Sequence, residues 1–118
     1  MRVTLCVDAL EPQLAGIGRY TWELCKGLRG CRDISRLFYF GRNRLIDDPE
    51  RLLRGERIRT GKGLLRLLRR RTASRVLRST LVHGPNYFLP ADAKTGIITV
   101  HDLSVLRYPE THPAARVQ

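Results

Sequence analysis

The chain has 118 residues, which is one domain's worth: enough for a single modest core and too few to hide a second substrate domain. An apolar fraction of 42% and a charged fraction of 28% are those of a globular domain, not of a disordered tail or a membrane span. The net charge is +11, and it is uneven: residues 42–78 hold thirteen Arg or Lys against four acids, a surplus of nine.

A segment charged in this way is a solvated basic face or a surface for nucleic acid or anionic lipid. Arg outnumbers Lys 19 to 3, a bias that coding preference produces as readily as phosphate recognition. Cys6, Cys25 and Cys31 are odd in number and contain no CxxC pair, so they read as reduced thiols of a cytosolic protein, not as a disulfide framework or a zinc site. The apolar stretch after Arg2 ends at Asp8, too soon for a signal-peptide core, and no run approaches the roughly 20 apolar residues of a membrane span. Any membrane contact is expected to be peripheral.

In chain order, Val3 to Val7 is a continuous apolar run closed by Asp8, which predicts a central parallel strand buried on both faces. A loop from Ala9 to Ala15 leads into Gly16-Ile17-Gly18, and Arg19 to Arg29 carries Tyr20, Leu24 and Leu28 at helical spacing. Ile34 to Phe40, rich in β-branched and aromatic residues, predicts a second strand. Residues 41–56 read as a polar connection with one helical turn near Asp48 to Arg54, where Asp48 caps and Pro49 stands first in the turn. Arg57 to Thr60 reads as a short edge strand.

Lys62 to Arg78, free of Pro and rich in Leu and Arg, predicts a helix. Leu64, Leu65, Leu68 and Val76 fall on one side of it, with Arg66, Arg70, Arg71 and Arg78 mostly opposite. The helix therefore either covers the sheet with a solvated outer face or docks on anionic lipid or nucleic acid. Leu81 to His83 and Thr95 to Val100 predict two further strands. Strands alternating with helices give an α/β, Rossmann-like, mostly parallel sheet flanked by helices. His112-Pro113 is a helix-start signal, and residues 109–118 look like the beginning of an element cut from something longer.

The chemistry is expected at the ends of the last two strands, because Val82-His83-Gly84-Pro85-Asn86 and Val100-His101-Asp102 each place a histidine in a polar turn where an open α/β sheet builds its site. His101 either hydrogen-bonds a sugar hydroxyl or phosphate or is a satisfied structural histidine. Asp102 fixes its tautomer or caps the next turn. His83 is expected to brace the loop at Gly84-Pro85-Asn86. Asn86 and Tyr87 contact a sugar or simply make the turn. Gly16 and Gly18 either let backbone N–H groups approach a phosphate or serve as a helix cap. The dinucleotide fingerprint fails, since Thr21 stands at its third glycine, and Gly61-Lys62-Gly63 is not a Walker loop.

Taken together, Val7-Asp8-Ala9, Gly16-Ile17-Gly18-Arg19-Tyr20-Thr21, Leu81 to Tyr87, Thr99 to Ser104 and Tyr108-Pro109-Glu110 resemble, in order, the amino-terminal half of a family 4, GT-B fold glycosyltransferase. The resemblance is to bacterial mannosyltransferases and rhamnosyltransferases of surface polysaccharide (O-antigen type) synthesis, and it covers nearly the whole chain.

The resemblance implies that residues 1–118 are the acceptor-side domain of a two-domain enzyme whose donor-binding domain lies beyond them. It implies a retaining, metal-independent transferase without cofactor, acting on a nucleotide sugar, GDP-linked mannose or D-rhamnose, and a polyprenyl-linked saccharide acceptor at the cytoplasmic face of a membrane. In that frame His101 is catalytic. Gly16, Gly18, Arg19, Tyr20, Asn86, Tyr87 and Asp102 bind donor or acceptor, and Arg66, Arg70, Arg71 and Arg78 meet the membrane surface. The fragment alone is expected to be inactive.

Two other classes match the residues less well. A basic α/β nucleic-acid module lacks an aromatic platform, since residues 42–78 contain no Phe, Tyr or Trp. A nicotinamide enzyme lacks the third glycine and an acid at the end of the second strand.

Overall fold

The computed structural model describes residues 1–59, 61–111 and 113. In β1 (Arg2–Cys6) side chains alternate between the two faces of the sheet, as the pleat requires. Leu5, with Val7 just beyond the strand, enters one apolar cluster with Leu10, Cys25, Tyr39, Ile46 and Leu52. Cys6 enters a second cluster with Phe40, Ala73, Leu77 and Val82. The run predicted as buried on both faces is so, with Val3, Leu5, Cys6 and Val7 all at 8% exposure or less.

α1 (Gly16–Arg29) crosses from β1 to β2 (Arg36–Gly41) over the first cluster, presenting Gly18, Thr21 and Cys25 to it. A two-residue turn, Arg42-Asn43, then reverses the chain into β3 (Arg44–Ile46), antiparallel to β2. Both turn residues lie in the left-handed region, at φ 51° and 59°. The turn is tied to the end of β1, where Asp8 Oδ1 accepts the Arg42 N–H at 2.6 Å. β3 falls inside what the sequence presents as a polar connection, and its three residues are too few for a periodic signal.

α2 (Glu50–Leu53) is the single turn expected, with Asp48 Oδ1 accepting the Glu50 N–H at 2.9 Å. Arg57 to Arg59 form no strand, which corrects the expected edge strand; its last residue, Thr60, lies outside the described residues. These backbone groups serve Arg44 instead, whose guanidinium donates to the Ile58 and Arg59 carbonyls.

α3 (Gly63–Ser79) returns across the opposite face to β4 (Leu81–Gly84), and β5 (Thr95–Ile98) follows it. The sheet order is β3-β2-β1-β4-β5, parallel throughout except for β3. This is the expected α/β, Rossmann-like arrangement. α1 and α3 lie on opposite faces because the chain leaves β1 in one direction and later returns to its other side.

The apolar side predicted for α3 is corrected. Of the predicted side, Leu64, Leu65 and Leu68 are exposed and Val76 is half-buried, while Ala73 and Leu77 make the buried contact. Only the second half of the helix overlies the sheet. All four residues of β5 are exposed, and a short α4 (Ser104–Arg107) and a 3-10 turn (Pro109–Thr111) follow it. The helix-start signal at His112 and the close of the 109–118 segment lie outside the described residues. Among the described residues no helix is long and apolar enough to cross a membrane.

Candidate functional site

Because β2 and β4 flank β1, the loops leaving β1 and β4 diverge at the carboxyl edge and open a crevice, the usual ligand position in such a sheet. On the α1 side of this crevice four side chains converge. Thr99, just past β5, joins two of them: its Oγ1 lies 3.3 Å from Tyr20 Oη and 3.2 Å from His83 Nε2. The Tyr20 ring meets the His101 ring edge-on, centroids 4.9 Å apart. Nε2 of His101 donates to the Pro85 carbonyl at 2.6 Å.

That last bond fixes which ring nitrogen of His101 carries the hydrogen. With Nε2 carrying the hydrogen, the neutral ring keeps Nδ1 as its remaining acceptor, and the protonated ring presents Nδ1–H as a donor. The brace of the loop after β4, expected of His83, comes from His101 through the Pro85 carbonyl, while His83 reaches sideways to Thr99 beside the next strand. Partial burial pushes the His83 imidazole below its ordinary value, favouring the neutral form.

Beside this cluster stands the amino terminus of α1. Gly16 has φ +41°, a conformation that L side chains rarely adopt. At Gly18 an added Cβ would come within 2.7 Å of the Ala9 carbonyl oxygen, so the loop after β1 can close on the helix only over a glycine. No side chain caps this helix and its first turn holds no acid, which leaves the positive end of its dipole open to an anion. Arg19 is exposed on the same first turn.

The other expected residues are local in their bonding. Asn86 Oδ1 accepts the Tyr87 N–H at 2.9 Å, making the turn, and Tyr87 stands 58% exposed against Phe88. Asp102 caps α4: Oδ1 accepts the Ser104 N–H and Oδ2 its hydroxyl, each at 2.6 Å. Of the four α3 arginines, Arg66 and Arg70 line a cavity on the far face of the sheet, Arg78 pairs with Asp92 at 3.2 Å, and Arg71 is exposed. Thr99 is the residue that sequence reasoning passed over, since its part follows only from the meeting of β4, β5 and α1. The cysteines are free, Cys6 and Cys25 buried and Cys31 exposed. Among the described residues no three His, Cys, Asp or Glu side chains group as a metal set would.

Fold and crevice define an α/β, Rossmann-like domain with a histidine-bearing site at the carboxyl edge of a parallel sheet. In sequence the chain is similar to O-antigen chain mannosyltransferase B of Escherichia coli, 31% identical over an alignment of 136 residues that takes in the whole chain and 36% of that protein. The chain thus spans about a third of the length of that relative. No protein-family model matches it, and no solved structure does.

Proposed function

We propose that residues 1–118 are the amino-terminal, acceptor-side domain of a GT-B fold, family 4 glycosyltransferase that moves mannose, or D-rhamnose, from a GDP-linked donor to a lipid-linked saccharide in O-antigen type synthesis. The observation that carries this reading is the convergence of Tyr20, His83, Thr99 and His101 beside the uncapped start of α1. The similarity to the mannosyltransferase along the entire chain supports it.

In this reading the donor diphosphate meets the backbone at Gly16 and Ile17, with Gly18, whose N–H is given to the Ala15 carbonyl, allowing the close approach, and the helix dipole stabilises the charge that grows on the leaving group. Arg19 adds a cation at the same place. His101 presents Nδ1 to the sugar, held in position by the Pro85 carbonyl and the Tyr20 ring, and Asp102 fixes the following turn. Asn86 and Tyr87 flank the acceptor. The transfer retains configuration, needs neither metal nor cofactor, and is completed by a donor-binding domain beyond this chain. Arg66, Arg70, Arg71 and Arg78 hold the enzyme peripherally at an anionic cytoplasmic membrane face, and nucleic acid has no part.

The test is a transfer assay on the intact protein with GDP-mannose, GDP-D-rhamnose and UDP-sugars beside a lipid-linked acceptor, following release of nucleoside diphosphate. Acceptor-dependent release from one GDP-sugar is expected, and His101→Ala should lower it by about a hundredfold or more. Release from no donor would sink the reading. Near-normal turnover of His101→Ala would remove that residue from the chemistry.

A further inference from the structure

Thr99 sits where three elements meet. Its N–H donates to the Gly84 carbonyl at 2.9 Å, which carries the β4–β5 pairing one residue past the strand and fixes its backbone. Its Oγ1 lies within hydrogen-bond distance of His83 Nε2 on β4 and of Tyr20 Oη on α1, at 3.2 Å and 3.3 Å. A β-branched side chain has few rotamers, so a fixed backbone also aims the hydroxyl. One hydroxyl brings one hydrogen and two lone pairs, enough to serve both partners at once.

Tyr20 is the side chain that this hydroxyl can hold. Its backbone is set by α1, which Gly18 locks against the Ala9 carbonyl, but its ring is 37% exposed. The neighbouring hydroxyl, Thr21 Oγ1, turns back to the Ile17 carbonyl and gives Tyr20 no help. The Tyr20 ring in turn meets the His101 imidazole edge-on, with 84° between the planes. His101 is itself exposed, and its bond from Nε2 to the Pro85 carbonyl leaves the imidazole able to turn about that bond. Tyr20 is the contact that opposes such a turn, so the direction of Nδ1 depends on where the Tyr20 hydroxyl is tied.

We infer that Thr99 is a positioning residue for His101: by tying Tyr20 Oη it sets the ring that holds the imidazole, and with it the direction of Nδ1. Thr99 acts through Tyr20 and needs no contact with substrate. The consequence for transfer rests on the glycosyl-transfer reading, while the orientation of His101 does not. Alignment of a catalytic ring counts once the reacting atoms are in place, so loss of the tie should lower kcat more than it raises KM.

The experiment follows the intact protein by two readouts: transfer from a GDP-sugar, and the NMR signals of the His101 ring, assigned by their loss in His101→Gln. Thr99→Val keeps the branched shape and removes the hydroxyl. It should lower kcat about tenfold or more with KM within about twofold, and should shift the His101 signals. Tyr20→Phe removes the other end of the same bond and should do likewise, and Thr99→Val/Tyr20→Phe should be no worse than the worse single variant. Thr99→Ser should restore at least about half of kcat and the wild-type His101 signals. Thr72→Val, which removes an exposed threonine hydroxyl on α3, should leave both readouts unchanged. Should Thr99→Val fail to fold, Tyr20→Phe carries the same two readouts. Wild-type kcat or unmoved His101 signals in Thr99→Val, additive losses in the double variant, or no rescue by Thr99→Ser overturns the inference. Transfer from no donor in the wild type sinks the glycosyl-transfer reading instead. The His101 signals then decide alone: a shift in Thr99→Val that Thr99→Ser reverses sustains the positioning role, and unmoved signals overturn it.

Discussion

α1 and α3 are crossover helices of one sheet, on opposite faces, and they use their length differently. α1 keeps contact along its whole 14 residues, from Gly18 at its start through Thr21 and Cys25 to the half-buried Leu28, and its first turn is locked against the loop after β1. α3 is longer, at 17 residues, yet only Ala73 and Leu77 are buried; its first half stands off the sheet over an arginine-lined cavity. The tightly packed helix positions a histidine cluster. The loosely packed one leaves a cavity beneath it. A helix of given composition acts as a wall or as a lid according to how much of it overlies β-structure.

The largest contrast is expected in thiol reactivity. Burial, aided by Asp8, pushes the Cys6 thiol up to about 12, and burial pushes Cys25 up to about 11, so both stay protonated at pH 8. Native-state alkylation at that pH should mark Cys31 alone, with all three labelled after denaturation. Rapid labelling of Cys6 with Cys25 protected would show α3 lifting from the sheet while α1 stays down.

Next in size, Leu77→Ala should destabilise the domain by about 2–4 kcal/mol in urea unfolding, because it empties the centre of the contact under α3. A loss below about 1 kcal/mol would mean that α3 is even less committed to the sheet than its burial implies. Gly18→Val should cost about 1–3 kcal/mol, since its side chain meets the Ala9 carbonyl and must push α1 or the preceding loop aside. Under the proposed function the same change should also lower transfer in the intact protein by more than its effect on stability explains, as the first turn of α1 moves.

A smaller effect is expected from His83. Its folded value lies below the ordinary 6.5, so the neutral ring favours the fold; that contribution is present above 6.5 and lost as the pH falls through the folded value. His83→Gln should flatten the acid side of the stability profile, and an unchanged profile would remove His83 as its cause. Smallest of all, Leu64→Ser/Leu68→Ser should change stability by less than about 0.5 kcal/mol, both side chains being exposed. A loss of 2 kcal/mol would put these leucines back against the sheet.

Much of this framework was legible in the residues. A continuous apolar run marked β1, β-branched and aromatic content marked β2, the short Leu81 to His83 stretch marked β4, and helical spacing after a glycine turn marked α1. The order of strands and helices gave the α/β class, and the two histidine turns were expected at the carboxyl edge where the structure places them. The leucines of α3 misled, because periodicity reports which side of a helix is apolar and not which stretch of it has something to cover. β3 was hidden because its pairing depends on Arg42 and Asn43 adopting left-handed backbone, held by a bond from Asp8, far away in sequence.

The site divides in the same way. Local sequence determined the pieces that need only neighbours: the uncapped glycine start of α1, the Asn86 turn, the Asp102 cap and the Asp48 cap, whose bonds close within a few residues. Tertiary structure alone decided that Thr99 would join Tyr20 to His83, that His101 would give its Nε2 hydrogen to Pro85, and that the turn after β2 would face Arg66 and Arg70 across a cavity. The physical reason is the strand order, which carries residues 79 positions apart, Tyr20 and Thr99, to one crevice through packing of strands and crossover helices that no local pattern encodes.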